Sequence, residues 1–404
     1  MKQVSVIIST YTADVSGVCS ALYELGGMVV IHDPSGCNST YNTHDEPRWY
    51  DQDSLVFISG LSEIDAIMGN DEKFIRDVVR AARDLSPRFI ALVRTPVPMM
   101  IGTDFEAIKD MIEAEMGIPV FYFATSGMHS YIQGAGDALA VVAENMVKEI
   151  GEKQTDPQKN AEPLAVNLLG VTPLDFSVND TLSSIKGYLE EHGCRVQSCF
   201  AMGSSPEEIA GAGKAAVNLI LSSSGLPAAK VLQRRFQIPY VAGLPTGAFK
   251  EAVIKALKKS AGNKESIIAY KKKRNDPGTR DSGLYIIGET VISRSLAEAL
   301  WITYHRMARV ICPLETDEEL ADEFCLMLSG EEEIQKELEK AKIVIADPMY
   351  RPICPETVHF IPMPHEAFSG RIYRRQIPDL TDGSFLDPWF KAITLDIMEA
   401  DGEN

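Results

Sequence analysis

Met28–Cys37, "MVVIHDPSGC", decides how the rest of this chain is read. The apolar run Met28–Ile31 stops abruptly at His32 and enters the turn Asp33-Pro34-Ser35-Gly36. A short, continuous apolar run bounded by turn residues marks a strand covered on both faces. In open α/β sheets, ligands bind just beyond the carboxyl ends of such strands, and Cys37 falls there. Pro34 fixes the turn, and Gly36 lets the backbone approach a bulky partner closely. A helix N-terminus after the turn would favour the thiolate form of Cys37. The competing reading is a small buried thiol in a tight turn. His32 is more often a turn-capping histidine than a ligand. His44, beside Asp45 and Glu46, is exposed in pattern and suits a relay role.

The same rhythm runs outward in both directions. "VSVIIS", "LVFISG", "FIALVR" and "VFYFAT" are further candidate strands in the first part of the chain. "LAVNLLGV", "RVQSCFA", "AVNLILSS" and "YVAGLP" follow, and then "GLYIIGE", "ARVICPL", "KIVIADPM" and "VHFIPMP". Between them lie helical patterns such as "DEKFIRDVVRAARDL", with Phe74, Ile75, Val78, Val79 and Ala82 at helical spacing. Alternation of strand and helix predicts α/β architecture with parallel sheets. Two polar stretches without apolar period, Glu152–Pro163 and Lys271–Gly283, read as linkers. Three Rossmann-like units are therefore expected, at residues 1–155 with the Cys37 loop, 160–270 and 280–385, with a C-terminal tail at 386–404. A length of 404 residues suits such a division.

The net charge of −18 argues against nucleic acid or an anionic membrane as partner, since both need clustered Lys and Arg. The basic cluster Lys271–Arg274 reads as part of a solvated linker. "MKQVSVIIST" is too short for a signal peptide, and no run of apolar residues is long enough to span a membrane. The seven cysteines are scattered, odd in number and without a CxxC pair, so a reducing cytoplasm is expected. Cys194 and Cys199 flank a strand and read as core thiols. Cys312 and Cys354 read as core or turn positions, with a meeting across a sheet edge as the alternative. "GAGKAAV" at Gly211 lacks the spacing and hydroxyl of a phosphate loop.

Ala21–Cys37, "ALYELGGMVVIHDPSGC", resembles the motif of the nitrogenase component 1 superfamily, in which a strand leads into His-Gly-Pro-x-Gly-Cys. "THDEP" (Thr43–Pro47) resembles the Arg-His-x-x-Glu-Pro segment that follows in β-type subunits. "SGLSEIDAIMGNDEKF" (Ser59–Phe74) and "TPVPMMIGTDFEAI" (Thr95–Ile108) look like the next two family segments. "ADPMYRPI" (Ala346–Ile353) and "PHEAFSGR" (Pro364–Arg371) are similar to the closing segments, so the matches run in order along nearly the whole chain. The resemblance implies three Rossmann-like units and an oxidoreductase subunit that pairs with itself or with a second component 1-like chain. It implies electrons from an ATP-dependent iron protein. It also implies Cys37 as ligand to an iron–sulfur cluster, a [4Fe–4S] cluster shared between subunits. His32, Pro34, Gly36, His44, Asp45, Ser222 and His365 are the implied cofactor-binding residues.

The departures bear on that expectation. Cys37 matches the middle of three family cysteines. Tyr11 and Thr12 stand where the first falls, Thr95 and Pro96 where the third falls, and Asp33 replaces the glycine after the histidine. In the catalytic subunit a Cys and a His hold the large cofactor. The corresponding stretches here carry Leu221, Ser222 and Ser223, and His365 near the ligand position. A nitrogenase catalytic α subunit is therefore not expected. Two alternatives stand beside the oxidoreductase subunit: a scaffold for metallocluster or cofactor assembly, and a metal-free descendant that binds a small ligand.

Overall fold

The computed structural model describes residues 6–7, 9, 13–34, 36, 46–149, 163–271 and 283–381, and three parallel sheets account for most of them. The first is built from α1 (Asp14–Leu22), β1 (Met28–His32), β2 (Leu55–Ile58), α2 (Glu63–Met68), α3 (Asp71–Leu85), β3 (Ile90–Arg94), α4 (Pro96–Ile101), α5 (Phe105–Met116), β4 (Val120–Phe123) and α6 (Tyr131–Asn145). Its strand order is β2-β1-β3-β4. The second comprises β5 (Leu164–Leu169), α7 (Pro173–Phe176), α8 (Thr181–Glu191), β6 (Cys194–Cys199), α9 (Pro206–Ala210), β7 (Val217–Ile220), α10 (Leu226–Phe236), β8 (Tyr240–Ala242), α11 (Lys250–Asn263) and β9 (Ile267–Ile268), in order β6-β5-β7-β8-β9. The third comprises β10 (Leu284–Ile287), α12 (Thr290–Tyr304), β11 (Ala308–Cys312), β12 (Cys325–Met327), α13 (Glu331–Leu338), β13 (Ile343–Ala346), β14 (His359–Pro362) and α14 (Glu366–Ser369), in order β12-β11-β10-β13-β14.

The local chemistry explains the elements. α3 buries the five residues that its spacing singles out, Phe74, Ile75, Val78, Val79 and Ala82, and stops at Ser86 in the left-handed conformation. β1, β3, β7 and β10 are buried along nearly their whole length, as strands with helices on both faces must be. One apolar core runs from the α1 and α6 face of the first sheet through the second and third sheets. A smaller core lies on the other face of the first sheet, under α3 and α5.

One candidate strand is corrected. The described residues of "VSVIIS" form no strand. Val6 and Ile7 instead donate their amides to the Glu331 carboxylate at the N-terminus of α13. Ile7 and Ser9 line a small cavity with Pro313 and Leu314 of the third sheet. Orphan amide donors meeting a carboxylate outweigh β-propensity when no strand lies alongside. The linkers read at Glu152–Pro163 and Lys271–Gly283 fall almost entirely outside the described residues, as does the tail.

Candidate functional site

Each sheet has one point where successive crossovers leave in opposite directions, and ligands bind at such switch points. In the first sheet it lies between β1 and β3, where His32 pairs with Arg94 and the chain turns at Asp33 and Thr95. In the second it lies between β5 and β7, at Gly170 and Ser222. In the third it lies between β10 and β13, at Glu289 and Asp347. The second and third meet, Ser223 donating to Glu289, while the loop after β4 of the first sheet reaches Glu315 of the third through His129 and Ser130.

At the first switch point Thr95 is fully buried. Its Oγ1 lies 2.8 Å from the His32 carbonyl and 2.7 Å from Asp33 Oδ1. Asp33 is 2% exposed, and its Oδ2 has no hydrogen-bond partner among the described residues. The Asp33 amide donates to Ser59 Oγ at 3.1 Å, and Ser59 Oγ stands 2.8 Å from His32 Nδ1. Ser59 Oγ accepts from the backbone and has two acceptors in reach for its own proton, Nδ1 at 2.8 Å and the Asp33 carbonyl at 3.5 Å; donation to the nearer Nδ1 leaves the imidazole proton on Nε2. Burial pushes the His32 imidazole down to about 4, so the ring is neutral at pH 7. The ring stacks on Phe74 with centroids 3.9 Å apart.

The turn continues through half-buried Pro34, whose carbonyl accepts from the Gly36 amide, to exposed Gly36. Cys37, His44 and Asp45 lie outside the described residues. The far end of the loop is anchored firmly. Glu46 is fully buried and receives Ser20 Oγ at 2.9 Å and three bonds from Arg48, the amide at 3.0 Å, Nε at 2.7 Å and a terminal nitrogen at 2.9 Å. Arg48 also bonds Glu24, the Ser20 carbonyl and the Ala201 carbonyl of the second sheet. Around this edge stand apolar side chains in water: Ile64, Ile67 and Met68 of α2 at 73%, 75% and 75% exposure, Met100 of α4 at 80%, and Met128 at 80%. α2 and α4 touch, so these residues form a collar.

A cubane cluster needs about four ligands, usually thiolates. The described residues at this edge offer none. Thr95, at the place of the third family cysteine, is turned inward onto Asp33. The described residues of this edge do not by themselves fit a complete cluster.

The other two switch points close on one another. Gly170, at φ +79°, lies so close to the β7 turn that a Cβ would come within 2.7 Å of the Ser222 carbonyl. Ser222 Oγ donates to the Gly170 carbonyl at 2.6 Å, so this implied cofactor residue holds two turns together. Its neighbour Ser223 crosses to the third sheet, where its amide (2.8 Å) and hydroxyl donate to Glu289. Glu289 also caps α12 through the Ile292 amide. Burial, with nearby Asp175, raises its carboxyl to about 7. His365 accepts from the Ala367 amide at Nδ1, so Nε2 carries the proton in the neutral ring, 3.5 Å from Asp175. Burial pushes His365 down to about 4 and raises Asp347, which accepts from the His365 amide and Ser369 Oγ. The cavity lined by Glu289, Asp347 and His365 measures about 10 Å³, room for about one water. This set can hold and pass a proton, but it does not fit a large metallocofactor.

Sequence reasoning missed Asp175, Glu289 and Asp347. An acidic residue directly after an apolar run, as in "YIIGE" and "VIADP", was the available signal. Cys194 and Cys199 are buried core thiols. Cys312 meets Cys325, and Cys354 donates to the Tyr350 carbonyl, with β10 between the strands that carry Cys312 and lead to Cys354. Among the described residues no group of three or more His, Cys, Asp or Glu is arranged to hold a metal ion, and no helix is long and apolar enough to cross a membrane.

The family model described as nitrogenase component 1 type oxidoreductase matches residues 16–293. The nitrogenase iron-molybdenum cofactor biosynthesis protein NifE of Clostridium pasteurianum is 26% identical over 252 residues, covering 57% of this chain and 51% of that protein. The nitrogenase molybdenum-iron protein alpha chain of Methanothermobacter thermautotrophicus is 26% identical over 234 residues, 52% and 47% of the two chains. One of the chains of the light-independent protochlorophyllide reductase of Gloeothece citriformis is 24% identical over 186 residues, 46% and 37%. This chain spans about half the length of the curated relatives it matches, or less. A solved structure described as nitrogenase Cp1 at pH 6.5 superposes with a TM-score of 0.65 over 99% of this chain and 95% of that one, at 16% identity, a likeness of fold. By the family match over most of its length, this chain belongs to the nitrogenase component 1 type oxidoreductases.

Proposed function

We propose that this chain is a component 1-like oxidoreductase subunit that pairs across the carboxyl edge of its first sheet. Its partner there is a second component 1-like chain or a second copy of itself. The observation that carries this reading is the collar of Ile64, Ile67, Met68, Met100 and Met128 around the root of the Cys37 loop. An apolar patch rimmed by polar residues marks a surface for association. Cys37 supplies one thiolate at that interface, and the partner supplies the rest of the ligand set, because Thr95 and Asp33 are committed to each other. An iron–sulfur cluster held there would accept and release single electrons, with an ATP-dependent iron protein as their source. Pro34 and Gly36 shape the turn, and His44 and Asp45 are the remaining polar candidates beside it. His365 and Glu289 hold protons near the water-sized cavity, and Ser222 is a positioning residue. We place the protein in the cytoplasm, with its three α/β units at 1–155, 160–270 and 280–385.

A second reading, a scaffold for cofactor assembly, is supported by the cofactor-biosynthesis relatives. One preparation separates the two. The protein is purified anaerobically with any co-encoded partner, and iron, sulfide and particle mass are measured for wild type and Cys37→Ala. The reading expects a dimer or larger assembly with iron that Cys37→Ala loses, and reduction of that iron by an added iron protein with ATP. Iron without such reduction favours the scaffold. A monomer without iron, or full iron in Cys37→Ala, overturns the interfacial ligand.

A further inference from the structure

We propose that the groove between β2 and α3 is a binding site for a small, neutral aromatic molecule that carries one hydrogen-bond acceptor, such as a carbonyl or a ring nitrogen. The groove exists because β2 is an edge strand. Phe57 pairs with Val30 and so points to the same face, yet Phe57 is 40% exposed while Val30 is 5% exposed. α3 covers β1 and leaves β2 open. The resulting cavity measures about 280 Å³, near the small end of ligand pockets, which suits one ring or two fused rings. Its walls are Phe57, Leu61, Phe74 and Val78, flat and apolar.

At one end lies His32, 4% exposed, with its ring stacked on Phe74. Ser59 Oγ stands 2.8 Å from Nδ1, nearer than its other acceptor, the Asp33 carbonyl at 3.5 Å, and with that hydroxyl donating to Nδ1 the proton sits on Nε2. Nε2 makes no hydrogen bond among the described residues and faces the cavity that the ring lines. Nε2 is not sealed among protein atoms but open to the cavity, where a ligand acceptor would take the place of water. The rim is neutral in sum. Lys73 pairs with Asp65 at 2.6 Å, and Arg80 pairs with Asp77 at 3.2 Å. Among the described residues of the rim, neither an anion nor a cation finds an unpaired counter-charge. This assignment is independent of the Cys37 loop and of any cluster.

The test is a titration of the full chain with 4-fluorobenzamide, followed by fluorine NMR, with toluene and benzoate as competitors. Imidazole nitrogen shifts report on His32. The expected result is saturable binding, a shift of His32 Nε2, and competition about tenfold weaker than by unlabelled benzamide both for toluene, which lacks the hydrogen bond, and for benzoate, whose charge must be desolvated without a counter-ion. Ala81→Trp, which fills the groove from α3, and Phe57→Ser, which removes a wall, each weaken binding at least about tenfold. Circular dichroism confirms that both variants are folded, and Phe57→Ser carries the test alone if Ala81→Trp is not. No saturable binding at millimolar probe, or binding unchanged in the folded variants, overturns the site. Equal competition by toluene, or tighter competition by benzoate, overturns the ligand class.

Discussion

At the meeting of the second and third sheets, Glu289 receives Ser223 from across the boundary, His365 stands 3.5 Å from Asp175, and Glu289, Asp347 and His365 line a water-sized cavity. At the carboxyl edge of the first sheet, Asp33 keeps one buried oxygen without a described donor, and Ile67, Met68 and Met100 stand in water. The topology is the same in both places, with one switch point per sheet. What differs is what each point faces. Two switch points turned toward each other satisfy their polar groups mutually and close. The third has no such counterpart among the described residues, so its unsatisfied oxygen and apolar rim remain. Under the proposed function the open edge serves association, and the closed pair serves fold stability and holds protons.

The comparison breaks most visibly at Arg48, which ties the root of the open edge to the Ala201 carbonyl of the second sheet. Arg48→Met leaves the fully buried Glu46 carboxylate without its cation. A loss of about 3–5 kcal/mol is expected in urea unfolding, since breaking one side of a buried pair strands the other. A loss under about 1 kcal/mol would mean that the tether is slack.

The closed pair is next in size, and it is read through pH. Glu289 ionises at about 7 when folded, against an ordinary 4.5. It therefore stabilises the fold fully below pH 4.5 and loses that contribution as pH rises through 7, about 3 kcal/mol in all. His365 runs the other way. Its imidazole falls from 6.5 to about 4 on folding, so its contribution is present above 6.5 and lost as pH falls through 4. The two slopes oppose each other over one window. Glu289→Gln should therefore gain on wild type by about 3 kcal/mol between pH 4.5 and 7.5 in paired urea titrations, whatever its fixed offset. A difference that stays flat with pH would refute the raised carboxyl.

Most of this contrast was out of reach of the sequence. α3 and the buried strands were legible because periodicity and apolar runs report burial directly. "VSVIIS" failed because strand propensity does not say whether a neighbouring strand exists, and Glu331 offered its amides a different partner. The Cys37 turn was legible as a strand end. Glu289 and Asp347 were equally strand-terminal, but a carboxylate looks the same in sequence whether it caps a helix in water or meets a serine from another sheet. Thr95 was visible as a departure from the family motif. Its contact with Asp33, 62 positions away, was not.

That contact has a counterpart in the second sheet, where Thr172 Oγ1 donates to Asp175 at 2.6 Å. Thr95→Val and Thr172→Val each remove one hydroxyl from a buried carboxylate, and each should cost about 2 kcal/mol in urea unfolding. Thr95→Ser should restore most of the loss. A markedly smaller loss at Thr95 would mean that Asp33 is satisfied from elsewhere, and the open edge would then be less open than it stands here.

The smallest effect on stability should come from the collar, and it tests the comparison most directly. Ile67 and Met100 are 75% and 80% exposed, so neither is packed in the folded chain. Replacing both with lysine should change unfolding free energy by no more than about 0.5 kcal/mol, the ordinary range for exposed positions. If this edge meets another subunit, the same double substitution places two ammonium groups where apolar area would be buried, and assembly should fail. Met111→Lys on α5, exposed at 55% and remote from the edge, is the control and should leave assembly intact. Mass from light scattering, with unfolding measured on the same samples, separates the outcomes. A double variant that keeps the wild-type mass would show that the collar faces solvent in the working protein. The difference between the two edges would then lie in the Asp33 oxygen alone.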